Sequence, residues 1–167
     1  MNIVLIGMRG AGKTTVAKLL SKKLQKEVLE TDDFIAKKAG MTIAEIVLMK
    51  GWDYFRDVET EVIADISKKD NVIISCGGGV VIRPKNIDLL KQNGKIFWLQ
   101  VSVATLLNRI GHDQNRPSLT GKPQKEDMEE TLKKRYTLYK NASNVSIDTE
   151  KLTKKEVAQK IIDSLWK

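Results

Sequence analysis

Among its 167 residues the chain has one cysteine and one histidine. With Cys76 alone, no intrachain disulfide can form and no cysteine-based zinc cluster can assemble. A reducing, cytoplasmic setting is the expectation. No general-base histidine is paired with Cys76 in the sequence, so it reads as a small buried residue rather than a nucleophile. Aromatic residues make up only 5%, too few for a base-stacking platform. No apolar run reaches the roughly 18 residues of a membrane span. The opening "MNIVLIGMRG" has neither a basic leader nor a small-residue cleavage site, and reads as a structural strand rather than a signal peptide. Acid is also in deficit: 29 Lys and Arg against 21 Asp and Glu leave a formal net charge of +8. The lysines are scattered in "SKKLQK", "AKK", "LKK" and "TKKE" with no long basic block, which describes solvated helix faces and argues against a nucleic-acid partner. No membrane partner is expected either, and the chain is expected to be a monomer.

What is present is an ordinary globular composition, 41% hydrophobic and 30% charged, read as a single domain over 1–167. Strand and helix signals alternate along it. Residues 2–6 form an apolar strand, 13–24 a helix, 28–29 a second strand ending in "ETDD". Two helical stretches follow, "DFIAKKA" and "TIAEIVLMK"; Gly51 interrupts the pattern, and a further helix runs over about 52–67. Residues 72–75 are a third strand, Pro84 opens a helix, "KIFWLQV" is the fourth strand, and a helix covers about 103–110. After the polar stretch "GHDQNRPSLTGKPQ" come the helix "EDMEETLKKRYTLYKNA", the strand "NVSID" and a closing helix. Five strands separated by helices predict an α/β fold with a parallel sheet flanked by helices. The polar stretch, about 111–124, is too long for a simple connection and reads as a mobile lid.

The most specific motif is "GMRGAGKT", Gly7 to Thr14, a complete G-x-x-x-x-G-K-[ST] between a strand and a helix. Gly7, Gly10 and Gly12 let backbone N–H groups wrap a phosphate. Lys13 reaches the outer phosphates, and the Thr14 hydroxyl takes a Mg²⁺ ligand position. A nucleoside triphosphate, ATP with Mg²⁺, is therefore the expected cofactor, held by Gly10, Ala11, Gly12, Lys13, Thr14 and Thr15. At the carboxyl end of the second strand stand Glu30, Asp32 and Asp33, where ligands of open parallel sheets sit. One acid can hold Mg²⁺ through water and another can orient or deprotonate an acceptor hydroxyl; Asp33 is assigned to a helix cap. The third strand ends in Gly77, Gly78 and Gly79, which leave room for a small ligand and offer it bare N–H donors. Ser75 either hydrogen-bonds a Mg²⁺-bound water or packs. Against the lysine background, Arg9, Arg56, Arg109, Arg116 and Arg135 are candidate anion grips, because a planar guanidinium forks onto carboxylates and phosphates. His112 lies in the lid and reads as solvated; Trp52 and Trp98 read as packing residues.

Taken in order, the phosphate loop, "ETD", "FRDVE", "CGGG", "NRPSL" and "KKRYTLY" resemble shikimate kinase, over nearly the whole chain. The resemblance implies the fold of the small nucleoside-monophosphate-kinase-like proteins, with substrate-binding helices over about 32–67. It also implies ATP-dependent phosphorylation of the 3-hydroxyl of shikimate, a step toward chorismate and aromatic amino acids. By resemblance Lys13 contacts the β/γ-phosphates, Thr14 and (through water) Glu30 hold Mg²⁺, and Asp32 holds the reacting hydroxyl. Arg56 and Arg135 match the pair gripping the shikimate carboxylate, and Gly78 and Gly79 the glycines lining it. Arg116 matches the lid arginine and Arg109 an arginine stacking on adenine. The chain departs from the family pattern in having Glu30 where an aspartate is usual, "RPSL" where "RPLL" is common, and Thr149-Glu150-Lys151 where a proline is often found. A kinase of gluconate or of a nucleoside monophosphate, and a nucleotide-binding regulator without transfer activity, are the alternative readings.

Overall fold

Residues 2–6 (β1) are buried along their whole length, the pattern of a strand covered on both faces. In the computed structural model, which describes residues 1–110 and 118–167, this strand is the centre of a five-stranded parallel sheet. The other strands are Val28–Glu30 (β2), Ile73–Ser75 (β3), Gly94–Gln100 (β4) and Val145–Asp148 (β5), in the order β2-β3-β1-β4-β5. The predicted parallel α/β sheet is what forms. Helices Lys13–Leu24 (α1), Thr31–Ala39 (α2), Ile43–Ile66 (α3), Pro84–Gln92 (α4), Val103–Ile110 (α5), Gln124–Ala142 (α6) and Lys154–Ser164 (α7) connect or follow the strands. Val16, Ala17 and Leu20 of α1, Ile96–Leu99 of β4, and Val157, Ala158 and Ile161 of α7 are buried around β1. At about 1.5–3 kcal/mol for each fully buried large apolar side chain, this layer is the main source of stability. Among the described residues no helix is long and apolar enough to cross a membrane.

The register decides where the functional loops meet. Leu5 pairs with Ser75, and Ser75 pairs with Glu30, so β1, β3 and β2 end side by side. The phosphate loop, the glycine triplet and the acidic turn thus leave the sheet at one level. Cys76 N–H continues the ladder by donating to the Leu5 carbonyl at 3.0 Å.

Two local features differ from the sequence reading. β2 extends to Glu30 and α2 begins at Thr31, so Asp33 lies inside the first helical turn, exposed, and does not cap the helix. A short 3₁₀ turn, Val80–Ile82, follows the glycines, where the sequence pattern gave no periodic signal. The interruption expected at Gly51 is present: two helical segments meet there at a kink, where Gly51 has φ 82° and ψ 172°, a region essentially reserved for glycine. Thr42 starts α3 with a capping box closed by Glu45, which anchors the segment before the kink.

Beyond its chain neighbours and its own helix backbone, no atom of the described residues lies within 4 Å of a Cβ built on Gly51, so backbone conformation alone demands glycine there. Gly51→Ala is expected to lower unfolding free energy by about 1–3 kcal/mol, read from the urea midpoint at unchanged m-value.

Candidate active site

The phosphate loop is tight because its glycines admit conformations and contacts closed to other residues. Gly10 and Gly12 have φ of 82° and 94°. A Cβ on Gly7 would sit 2.8 Å from the Leu99 carbonyl, and one on Gly10 would sit 2.7 Å from Ile110 Cγ1. Lys13 is buried, its Nζ donating to the carbonyls of Gly7 (2.6 Å) and Met8 (2.7 Å). Thr14 and Thr15, at the start of α1, are exposed. Both border a cavity of about 510 Å³ together with Gly10, Gly12, Lys13, Glu30, Asp32, Ser75, Arg109 and Lys154. Glu30 Oε1 is buried without a hydrogen-bond partner among the described residues. An orphaned carboxylate oxygen, a neighbouring serine and an open threonine hydroxyl fit a hydrated Mg²⁺ better than a dry, closed metal site.

A second cavity adjoins the first, lined by Arg9, Asp32, Trp52, Arg56, the three glycines and Arg135, among others. Asp32, Arg9, Gly77 and Gly78 border both. The glycine triplet that ends β3 has a purpose other than backbone freedom, since none of its members has a positive φ. What they supply is room. A Cβ on Gly77 would stand 2.8 Å from Asp32 Oδ1, and one on Gly79 would fall onto the Arg56 guanidinium. The Gly77 N–H is not bare: it donates to Thr31 Oγ1 at 2.9 Å, which corrects the expectation that all three N–H groups face a ligand. The Gly78 carbonyl accepts from Tyr139 Oη at 2.6 Å. Burial pushes the Tyr139 phenol above its ordinary value, so it remains a donor.

Arg56 is buried with its Nη1 3.0 Å from Glu59 Oε1, one helical turn along α3. Its guanidinium also lies 5.3 Å from the Trp52 ring and 5.0 Å from the Phe55 ring, so three neighbours fix its plane. Trp52, expected only to pack, is thus a wall of the site. Glu59 is fully buried, and its Oε2 has no hydrogen-bond partner among the described residues. Burial pushes its carboxyl upward, opposed by Arg56. Arg135 comes from α6, buried, with its Nη1 3.4 Å from the position of a Cβ on Gly78. Asp127, also on α6, accepts from the N–H groups of Leu119 and Thr120 and from the Thr120 hydroxyl, tying residues 119–120 to the cavity rim.

The structure therefore brings Lys13, Thr14, Thr15, Glu30, Asp32, Arg56, Gly78, Gly79, Arg109 and Arg135 to two adjoining cavities. Arg116 and His112 lie outside the described residues, as does the 111–117 part of the expected lid. Cys76 is buried and burial pushes its thiol far up, consistent with an inert residue. Glu59 was legible as an i, i+3 partner of Arg56. Tyr139 lay within the quoted "KKRYTLY" but its role was not read, and Asp127 and Lys154 carried no comparable signal, because the partners of all three are distant in sequence.

Comparison with known proteins agrees with this geometry. The family model for shikimate kinase matches residues 9–166. The chain belongs to the shikimate kinase family. It is 43% identical to a shikimate kinase of Caldicellulosiruptor bescii over 96% of this chain and 93% of that one. It is 45% identical to one of Thermodesulfovibrio yellowstonii over 96% and 92%. A shikimate kinase of Acinetobacter baumannii, solved in complex with shikimate, superposes with a TM-score of 0.94 at 34% identity, covering 99% of this chain and 92% of that one. In the present chain Arg83, a further arginine, pairs with Asp57 at 2.7 Å on the exposed side of α3 and lines neither cavity.

The two arginine–carboxylate pairs of α3 should behave differently. Glu59→Ala leaves the buried Arg56 charge without its partner and is expected to cost about 3–5 kcal/mol of stability. Asp57→Ala, which breaks the exposed pair, is expected to change it by less than about 1 kcal/mol. Chemical denaturation of the two variants beside the parent compares them directly.

Proposed function

We propose that the chain transfers the γ-phosphoryl group of ATP to the 3-hydroxyl of shikimate. The observation that carries this reading is the shared border: Asp32 lies where the phosphate-loop cavity meets the one holding Arg56 and Arg135. A carboxylate at that junction faces a donor on one side and an acceptor on the other. Arg56 and Arg135 bring two guanidinium forks to the acceptor cavity, which suits an acidic acceptor. Trp52 and Phe55 give the carbon skeleton an apolar wall.

In the proposed mechanism Arg56 and Arg135 grip the acceptor carboxylate, their forks fixing the ring's orientation. Asp32 orients the reacting hydroxyl and takes its proton as the oxygen attacks. Lys13 leaves the Gly7 and Met8 carbonyls to neutralise charge on the β- and γ-phosphates, and the loop N–H groups hold the phosphate chain in line. Thr14, and Glu30 through water, would hold Mg²⁺, which would supply further charge neutralisation to the phosphates when bound. Arg109 contacts the nucleoside end. Arg116 is assigned to the lid on the sequence match alone.

A coupled assay of ADP release from Mg·ATP, with and without shikimate, tests the reading. Turnover is expected to depend on shikimate and to fall by about 10²–10⁴-fold in Asp32→Asn. Arg135→Ala is expected to raise KM for shikimate at least tenfold. Nucleotide binding without any response to shikimate would leave the phosphate loop explained and overturn the acceptor assignment.

A further inference from the structure

The donor cavity contains a cation that no sequence motif singles out. Lys154 is the first residue of α7 and is half-buried. Its side chain lies over the phosphate loop: a Cβ on Gly12 would strike its Nζ and stand 2.6 Å from its Cε. The Nζ donates to the Ala11 carbonyl at 3.4 Å. Arg109 reaches the same strip of loop from α5, its Nη1 3.4 Å from both the Gly10 and the Ala11 carbonyl.

This arrangement is unfavourable on three counts. The ammonium has lost part of its hydration, Arg109 repels it, and the first turn of a helix presents the positive end of the helix dipole. Burial first, and then Arg109, hold the Lys154 ammonium below the ordinary lysine value. Among the described residues neither cation has a carboxylate within ion-pairing distance; the neighbouring Glu150 is engaged by Ser102 and Thr105 instead. Hydrogen bonds of 3.4 Å to carbonyls are long and compensate little. Two cations converge on one wall of a cavity, and among the described residues the acid that feels Arg109, Glu150, is held by Ser102 and Thr105, so the pair suits an anion from outside.

Position identifies the anion. The residues shared by the two cavities, Arg9, Asp32, Gly77 and Gly78, mark where the phosphoryl group changes hands. Lys13 is held at that end of the loop by Gly7 and Met8. Lys154 and Arg109 border only the donor cavity and meet the loop at Gly10, Ala11 and Gly12. We propose that Lys154 is a nucleotide-binding residue which, beside Arg109, exchanges the Ala11 carbonyl for the α-phosphate of ADP or ATP. The inference rests on the phosphoryl-transfer reading above, and adds to it a second lysine at the nucleoside end of the loop.

Calorimetric titration of ADP and AMP into the parent chain, Lys154→Met and Lys154→Arg tests it. Methionine keeps a long unbranched stem over Gly12 and removes only the charge. Lys154→Met is expected to weaken ADP and AMP by about tenfold or more, and to flatten the dependence of Kd on salt. Shikimate affinity should be unchanged, the melting temperature of the unliganded protein should be equal or higher because an unfavourable charge is removed, and Lys154→Arg should restore most of the affinity. Equal or tighter ADP binding by a folded Lys154→Met would overturn the proposal, making Lys154 a packing residue or an obstruction. A loss seen with ADP but not AMP would overturn the α-phosphate assignment. Failure of the parent chain itself to bind ADP would instead remove the phosphoryl-transfer reading on which the inference stands.

Discussion

Parallel pairing of β3 between β1 and β2 is the constraint on which the site depends. Because Ser75 faces Leu5 on one side and Glu30 on the other, three chain segments far apart in sequence leave the sheet at one edge. A parallel sheet presents all its carboxyl ends together, so the phosphate loop, the acidic turn and the glycine triplet have nowhere else to go. A slip of one residue in β3 would turn Ser75 to the opposite face and carry Gly77 away from Asp32. The buried layer of β1, β4, α1 and α7 makes such a slip costly, and in this way core packing sets catalytic geometry.

The glycines of the two loops solve different problems. In the phosphate loop, positive φ at Gly10 and Gly12 lets consecutive N–H groups turn toward one point. In the triplet after β3, φ is ordinary and side-chain volume is what has been removed. Asp32, Arg135 and Arg56 pack against Gly77, Gly78 and Gly79 in turn. The absent side chains are replaced by functional groups from α2, α6 and α3, each brought to the backbone of one short turn. Tyr139, stacked on Trp98 with ring centroids 5.5 Å apart, adds a hydrogen bond to the Gly78 carbonyl and links that turn to the core of the sheet.

Charge is handled just as locally. The excess of lysine is spread over exposed helix faces, where water screens it. The cations that line the cavities are partly or wholly withdrawn from water and differ in their compensation. Arg56 has a buried carboxylate and two aromatic faces. Lys13 has two short bonds to carbonyls. Among the described residues, Arg109 and Lys154 have only long ones. The net charge of +8 therefore says little about function, and the distribution of a few buried cations says much.

Several features were legible in the sequence because their cause is local. The strand–helix alternation follows from hydrophobic periodicity, and the phosphate loop from glycine spacing in a strand–loop–helix context. The break at Gly51 and the opening of α4 at Pro84 follow from backbone preference. The family resemblance added Asp32, Arg56 and Arg135 by matching short motifs. Contacts that cross the fold were not legible. That the glycines make room for protein side chains depends on α2, α3 and α6 arriving at β3. The N–H of Gly77 is taken by Thr31, from another strand end. Lys154 reaches Gly12 across 142 positions of sequence, which no local pattern encodes. By itself the sequence determined the elements, the phosphate loop and the supply of charged groups, all of which rest on interactions within a few residues. Which charges lie together, which are compensated and which face a ligand was decided only by tertiary packing, because those energies depend on burial and distance between segments remote along the chain.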